Sequence, residues 1–336
     1  MYDFVSFAMT LDSDRPLYDL IQTRAHTPAE TLLVHIACNE HQMAYAHQVF
    51  QFFDPSVRVL RLPPWDTDPY ARISPDSDIM AQRLATLSRL AMGCADQPTI
   101  LVTAVAAWLQ KVAPASFFTG HIHHVRGGDQ LPDTVLEDWL RSGGYRRAST
   151  VRQRGEYCFR GGIVDVFAPF APHPVRLDRF GDTVESLRAF DPVSQCTVRV
   201  LSSLILSPVS EVILTPTSIQ AFKEAYRILS EGTYAKDPLY QAIDAGQAFP
   251  GMEHWLPLFH GPLVSVAARL PPDTLIHQDG GYQVAATARW SLIQHLYDQR
   301  RGAGKASDVP YYPVSVESLF VKPDLSAALK GCCTSS

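Results

Sequence analysis

The stretch from Arg154 to Asp191, RGEYCFRGGIVDVFAPFAPHPVRLDRFGDTVESLRAFD, constrains the fold more than any other part of the chain. Ile163 to Phe167 is a β-branched run that follows a Gly161-Gly162 turn. Val175 to Phe180 reads as a second strand and Val184 to Phe190 as a third, joined by the Gly181-Asp182 turn. These three strands predict a small antiparallel sheet. Alternation along the middle strand sets Val175 and Leu177 on one face and Arg176, Asp178 and Phe180 on the other. A large aromatic between charged neighbours, close to a hairpin tip, is either a local packing residue or the anchor of a protein interface flanked by arginine. Arginines are concentrated here, nine against five acids from Arg141 to Arg188, so the local charge opposes the overall charge of −5. Both a solvated basic face and a docking surface account for that excess.

Before this sheet the pattern is α/β. Thr31 to Ala37 is a short apolar strand, Glu40 to Phe53 a helix, and Val57 to Leu62 a second strand ended by Pro63-Pro64. Asp76 or Ser77 can cap the next helix, whose Ile79, Met80, Arg83, Leu84, Leu87 and Ala91 recur at helical spacing, and Thr99 to Thr103 is a strand of the buried type. Alternation of this kind predicts a parallel sheet over residues 1–120. A different character, with Ile122 to Val125 as a strand and Pro132 to Arg141 as a helix, marks an inserted unit at 121–208. Residues 209–322 begin with a helix from Thr217 to Ser230. Strand candidates at Leu263 to Ala267 and Thr274 to His277 predict that this segment rejoins the first layer, leaving a frayed tail at 323–336.

Several classes of chemistry lack their motifs. The parallel layer invites a phosphate loop, yet the nearest candidate, Gly302-Ala303-Gly304-Lys305, has Gln299 where the leading glycine belongs and Ala306 where Ser or Thr belongs. It also follows a helix, Tyr282 to Arg300, instead of a strand. Cys38, His41 and His47 share one strand-helix unit without a partner pair to complete a tetrahedral zinc set, and the adjacent His123 and His124 point to opposite faces of a strand. Asp165 and Asp178 read as structural partners of Arg160, Arg176 or Arg179, not as a catalytic pair. No catalytic residue, cofactor or metal is therefore expected. The six cysteines form no disulfide framework, no apolar run reaches membrane-spanning length, and the start MYDFVSFAMTLDSDR is unlike a secretory signal, which predicts reduced thiols and a cytoplasmic location. The acidic balance, with pI near 6.2, predicts weak DNA binding at most.

The run RGEYCFRGGIVDVF followed by VRLDRFGDTVESLRAFD resembles the second domain of the UvrB-like module of bacterial transcription-repair coupling factors (Mfd), the part that contacts the excision-repair protein UvrA. The likeness extends to LPPWDTDPYARISPDSDIMAQRLATLSRL, Leu62 to Leu90, and to GMEHWLPLFH, Gly251 to His260, so that it covers residues 30 to 320 in order. In fold, the resemblance implies an α/β, degenerate helicase-like (P-loop NTPase-like) parallel-sheet domain split by an inserted α+β domain. In function, it implies a non-catalytic recruiting module for nucleotide excision repair that binds UvrA in place of UvrB. The family's contact arginine before the turn, its arginine in the next strand and the phenylalanine four residues later correspond here to Arg160, Arg176 and Phe180. In that family a separate translocase motor and an RNA polymerase-binding domain do the mechanical work, and neither is in this chain. A second reading therefore makes the chain an N-terminal fragment of an ATP-dependent DNA translocase, and a third makes it a repressor-like cap on a motor.

Overall fold

The computed structural model describes residues 15–28, 30–169, 171–303 and 311–323. Within these, the α/β layer is a four-stranded parallel sheet in the order β12-β1-β3-β2. Its strands are β1 (Leu33–Ala37), β2 (Arg58–Leu62), β3 (Thr99–Ala104) and β12 (Leu275–Gln278). Every residue of β1 and β3 is buried, the polar His35, Thr99 and Thr103 included, as expected of strands covered on both faces. Val34, Ile36 and Leu101 face Leu84, Leu87 and Phe118 on one side, while Leu33, Ala37 and Val102 face Met43, Ala46 and Phe50 on the other. Helix α1 (Arg15–His26) adds Leu17 and Leu20 to the second side. Helix α2 (Glu40–Phe53) starts directly after β1, with the Asn39 side chain accepting from the Gln42 N–H at 3.0 Å. Helix α3 (Ser77–Met92) is capped by Asp76, one of the two expected residues.

The chain leaves this sheet after β3 and returns to it at β12, which pairs with β1 in parallel, Leu33 opposite Leu275. Between them lies the antiparallel unit, larger than the three expected strands. Its main sheet has six strands in the order β10-β9-β8-β7-β6-β5: β5 (Arg146–Arg147), β6 (Glu156–Arg160), β7 (Ile163–Val166), β8 (Val175–Phe180), β9 (Thr183–Phe190) and β10 (Thr197–Leu201). A separate two-stranded ladder pairs β4 (His123–Arg126) with β11 (Ser203–Leu206). One face of the main sheet packs Val164, Val166, Val175, Leu177, Val184 and Leu187 against Leu136 and Leu140 of helix α4 (Asp133–Ser142).

The return segment differs from the expectation in two places. Leu263 to Ala267 is not a strand: Val264 makes a single bridge to Val112, after which the chain turns at Ala267–Arg269. The Arg269 guanidinium fixes that turn by donating to the carbonyls of Ala113 and Leu87, at 2.8 and 2.9 Å. Most of the segment also builds a core of its own, rich in aromatics. Helix α5 (Pro216–Leu229) contributes Phe222 and Tyr226, and these pack with Trp255, Phe259, Trp290 of helix α6 (Tyr282–Ala303), and Tyr70.

Two of the stretches that carry the family resemblance meet in this core. Ser74 donates to Glu253 at 2.9 Å and accepts from the Gly251 N–H at 2.9 Å, and the Tyr70 N–H donates to His254 Nδ1 at 3.2 Å. Gly251, at φ +80°, is required there because an added Cβ would stand 2.7 Å from the Ala71 carbonyl oxygen. A buried ion pair, Arg83 to Glu211 at 2.6 Å, ties α3 to the chain just after the antiparallel unit. The Gly304-Lys305 part of the glycine-lysine run and residues 324–336 of the expected tail lie outside the described residues.

Candidate protein-interaction surface on the antiparallel sheet

Two glycine turns place their hairpin tips side by side. In Arg160-Gly161-Gly162-Ile163 and Phe180-Gly181-Asp182-Thr183 the first glycine has φ +58°, the conformation that two-residue hairpin loops ask of glycine in this position. The strands β7 and β8 pair with Ile163 opposite Asp178, and the Arg179 N–H donates to the Gly162 carbonyl at 2.8 Å. Both tips therefore lie at the same end of the sheet.

The face opposite the core carries the charged row. Asp165 on β7 is 0% exposed and lies opposite Arg176 on β8. Arg176 grips it with two hydrogen bonds, Nε to Oδ1 at 2.7 Å and Nη2 to Oδ2 at 2.9 Å, and stacks over Phe190 at 4.7 Å. The bond to Asp165 raises the Arg176 pKa further. Arg160 Nη2 also donates to Asp165, so one buried carboxylate holds two arginines. They differ in exposure, with side chains 47% exposed for Arg160 and 19% for Arg176. Arg160 is the last residue of β6, where the sequence placed it just before a strand. Phe180, at the end of β8, is 79% exposed.

Neighbouring charges sort out differently from the sequence reading. Asp178 is held by Arg188 Nη2 and Nε at 2.6 and 2.8 Å and by Ser186 at 2.6 Å, not by Arg160, Arg176 or Arg179. Burial opposes its charge, but these donors outweigh burial and keep its pKa below the usual carboxylate value. Arg179 turns to the core side of the strand, pairs with Asp133 and donates to the Leu131 carbonyl at 2.9 Å. Arg188 is the residue that sequence reasoning left outside the patch. It lies opposite Arg176 on β9, with its side chain 38% exposed, and only the β8–β9 register could have revealed that. Beyond it, Val200 on the edge strand β10 pairs with Arg188 and is exposed.

The surface is thus a rigid basic patch with one exposed aromatic at its tip. Such a patch can receive acidic and apolar groups of a protein partner. Among the described residues Cys38, His41 and His47 do not form a group close enough to share an ion, and no helix is long and apolar enough to cross a membrane.

The UvrB interaction domain family matches residues 124–211, a span that contains all of β5 to β11. Over a wider range the chain is similar to curated transcription-repair-coupling factors. It is 34% identical to that of Escherichia coli (strain K12) over 240 residues, which is 71% of this chain and 20% of the relative. It is 29% identical to that of Rickettsia bellii over 292 residues, 87% of this chain and 26% of the relative. It is 36% identical to that of Myxococcus xanthus over 206 residues, 60% of this chain and 17% of the relative. The chain corresponds to the region of transcription-repair-coupling factors that carries a UvrB interaction domain, and it spans about a fifth to a quarter of the length of the first two relatives.

Proposed function

We propose that this region recruits the excision-repair machinery by binding UvrA through the tip of the antiparallel sheet, in the position that UvrB otherwise takes. Arg160, Arg176 and Phe180 make the contact. The observation that carries this reading is the exposed Phe180 at the end of the strand that also bears Arg176, on a sheet where the buried Asp165 fixes Arg160 and Arg176, inside the segment matched by the UvrB interaction domain. A large aromatic kept in water on a rigid strand gains by being covered, and arginine-flanked aromatics are common interface hot spots. Titration of UvrA into the chain tests this directly, with Phe180→Ala and Arg160→Ala expected to weaken binding while the fold is kept.

The module is proposed to be non-catalytic. Support comes from the link between β1 and α2, only Cys38 and Asn39, where a phosphate-binding sheet would carry a glycine-rich loop. The Asn39 side chain already occupies a helix-start N–H there. Since the chain spans only part of its relatives, the ATP-driven translocase activity and the RNA polymerase contact are proposed to reside in other parts of such proteins, consistent with the fragment reading.

A further inference from the structure

Two histidines and an aspartate come together in the parallel sheet. His35 on β1 and His277 on β12 occupy the same register position, so their side chains emerge on one face of the sheet. Their Nδ1 atoms are 3.0 Å apart and their rings are stacked, although the residues are 242 positions apart in sequence. Asp279, just past the end of β12, places Oδ1 3.5 Å from His35 Nε2, and the Cys38 N–H donates to its Oδ2 at 3.3 Å. One ligand atom from each of the three residues lies within 4.8 Å of the other two.

We propose that His35, His277 and Asp279 form a site for one divalent transition-metal cation of the zinc type, which clamps β1 to β12. Zinc holds imidazole nitrogens at about 2.0–2.1 Å, which sets nitrogen pairs in a tetrahedral shell about 3.3–3.4 Å apart. The observed pair needs to open only by a few tenths of an ångström. The carboxylate has further to travel, and its partly exposed position at a strand end lets it rotate onto the ion. Two imidazoles and one carboxylate suit zinc, cobalt or nickel better than calcium or magnesium, which prefer oxygen alone. An ion there would join the segments that flank the antiparallel unit, and so close the split sheet by a link that neither segment can make alone.

The test uses the whole chain, stripped of metal and titrated with zinc chloride by calorimetry and with cobalt(II) by visible absorption. One ion should bind per chain, give a cobalt spectrum of low coordination number and raise the melting temperature. His277→Ala and Asp279→Asn, both at partly exposed positions, should each weaken binding at least about tenfold and remove the thermal shift. The tail thiols Cys332 and Cys333 are the competing ligands, so Cys332→Ser/Cys333→Ser should leave affinity and stoichiometry unchanged. The proposal is overturned if the folded chain shows no saturable one-to-one binding. It is equally overturned if binding survives both sheet variants or disappears with the tail thiols.

Discussion

Asp165 decides how the arginines of the candidate surface behave. Because it is fully buried and accepts from both Arg160 and Arg176, the two are not equivalent probes of an interface. Arg176→Ala removes the bidentate grip and the Phe190 stack together, leaving a buried carboxylate with one remaining arginine. We expect a loss of stability of about 2 kcal/mol or more, measured by urea denaturation. Arg176→Lys should recover only part of it, since an ammonium cannot reproduce the fork. Phe180→Ala, in contrast, should leave the melting temperature unchanged, because the ring already lies in water. The sequence made the strand and its two faces legible from alternation. It also marked Asp165 as a partner for these arginines, which the hydrogen bonds from Arg160 and Arg176 bear out, but it could not disclose that the carboxylate is fully buried and holds both at once.

The hairpin is the element that turns these residues into a surface. An added Cβ at Gly162 would stand 2.8 Å from the Arg179 carbonyl oxygen, whereas at Gly161 it would meet nothing within 4 Å and be opposed only by φ +58°. Gly162→Ala should therefore destabilise the antiparallel unit by more than Gly161→Ala, whose cost is about 1 kcal/mol. Equal effects in a denaturant titration would contradict the close approach. Glycine pairs and β-branched runs made three strands of this sheet readable. Strand β6 was left unread although Glu156, Cys158 and Arg160 alternate with Tyr157 and Phe159; Tyr157 packs into the main core of the unit and Cys158 into a small cluster with Val151, Phe167 and Phe190. Conversely, Leu263 to Ala267 looked like a strand from composition, yet the chain there is committed to the Arg269 turn.

At the scale of the whole molecule, the return of the chain to β1 through β12 was legible as an alternation of strand and helix signals. The aromatic core beyond it was not, because Tyr70 and Trp255 become neighbours only through tertiary folding. That core carries a titration with a defined sign. Burial lifts the Glu253 pKa from an ordinary 4.5 to about 7, despite the Ser74 hydrogen bond. The folded state then holds its proton more tightly than the unfolded chain does. The associated stability is fully present below pH 4.5 and lost as pH rises through 7, by up to about 3 kcal/mol. Glu253→Gln should match the parent near pH 5 and exceed its melting temperature near pH 8; the reverse order would contradict this assignment. ATP turnover by the purified chain is expected to be absent, and turnover that persists after removal of contaminating ATPases would contradict the non-catalytic reading. UvrA binding by the sheet tip is measured by titrating UvrA into the chain by calorimetry, comparing Phe180→Ala and Arg160→Ala with the neighbouring control Arg188→Ala and checking each fold by circular dichroism. At least a tenfold loss of affinity, about 1.4 kcal/mol, is expected for each of the first two and a smaller one for the control. Folded Phe180→Ala and Arg160→Ala proteins that bind UvrA as tightly as the parent would contradict this expectation.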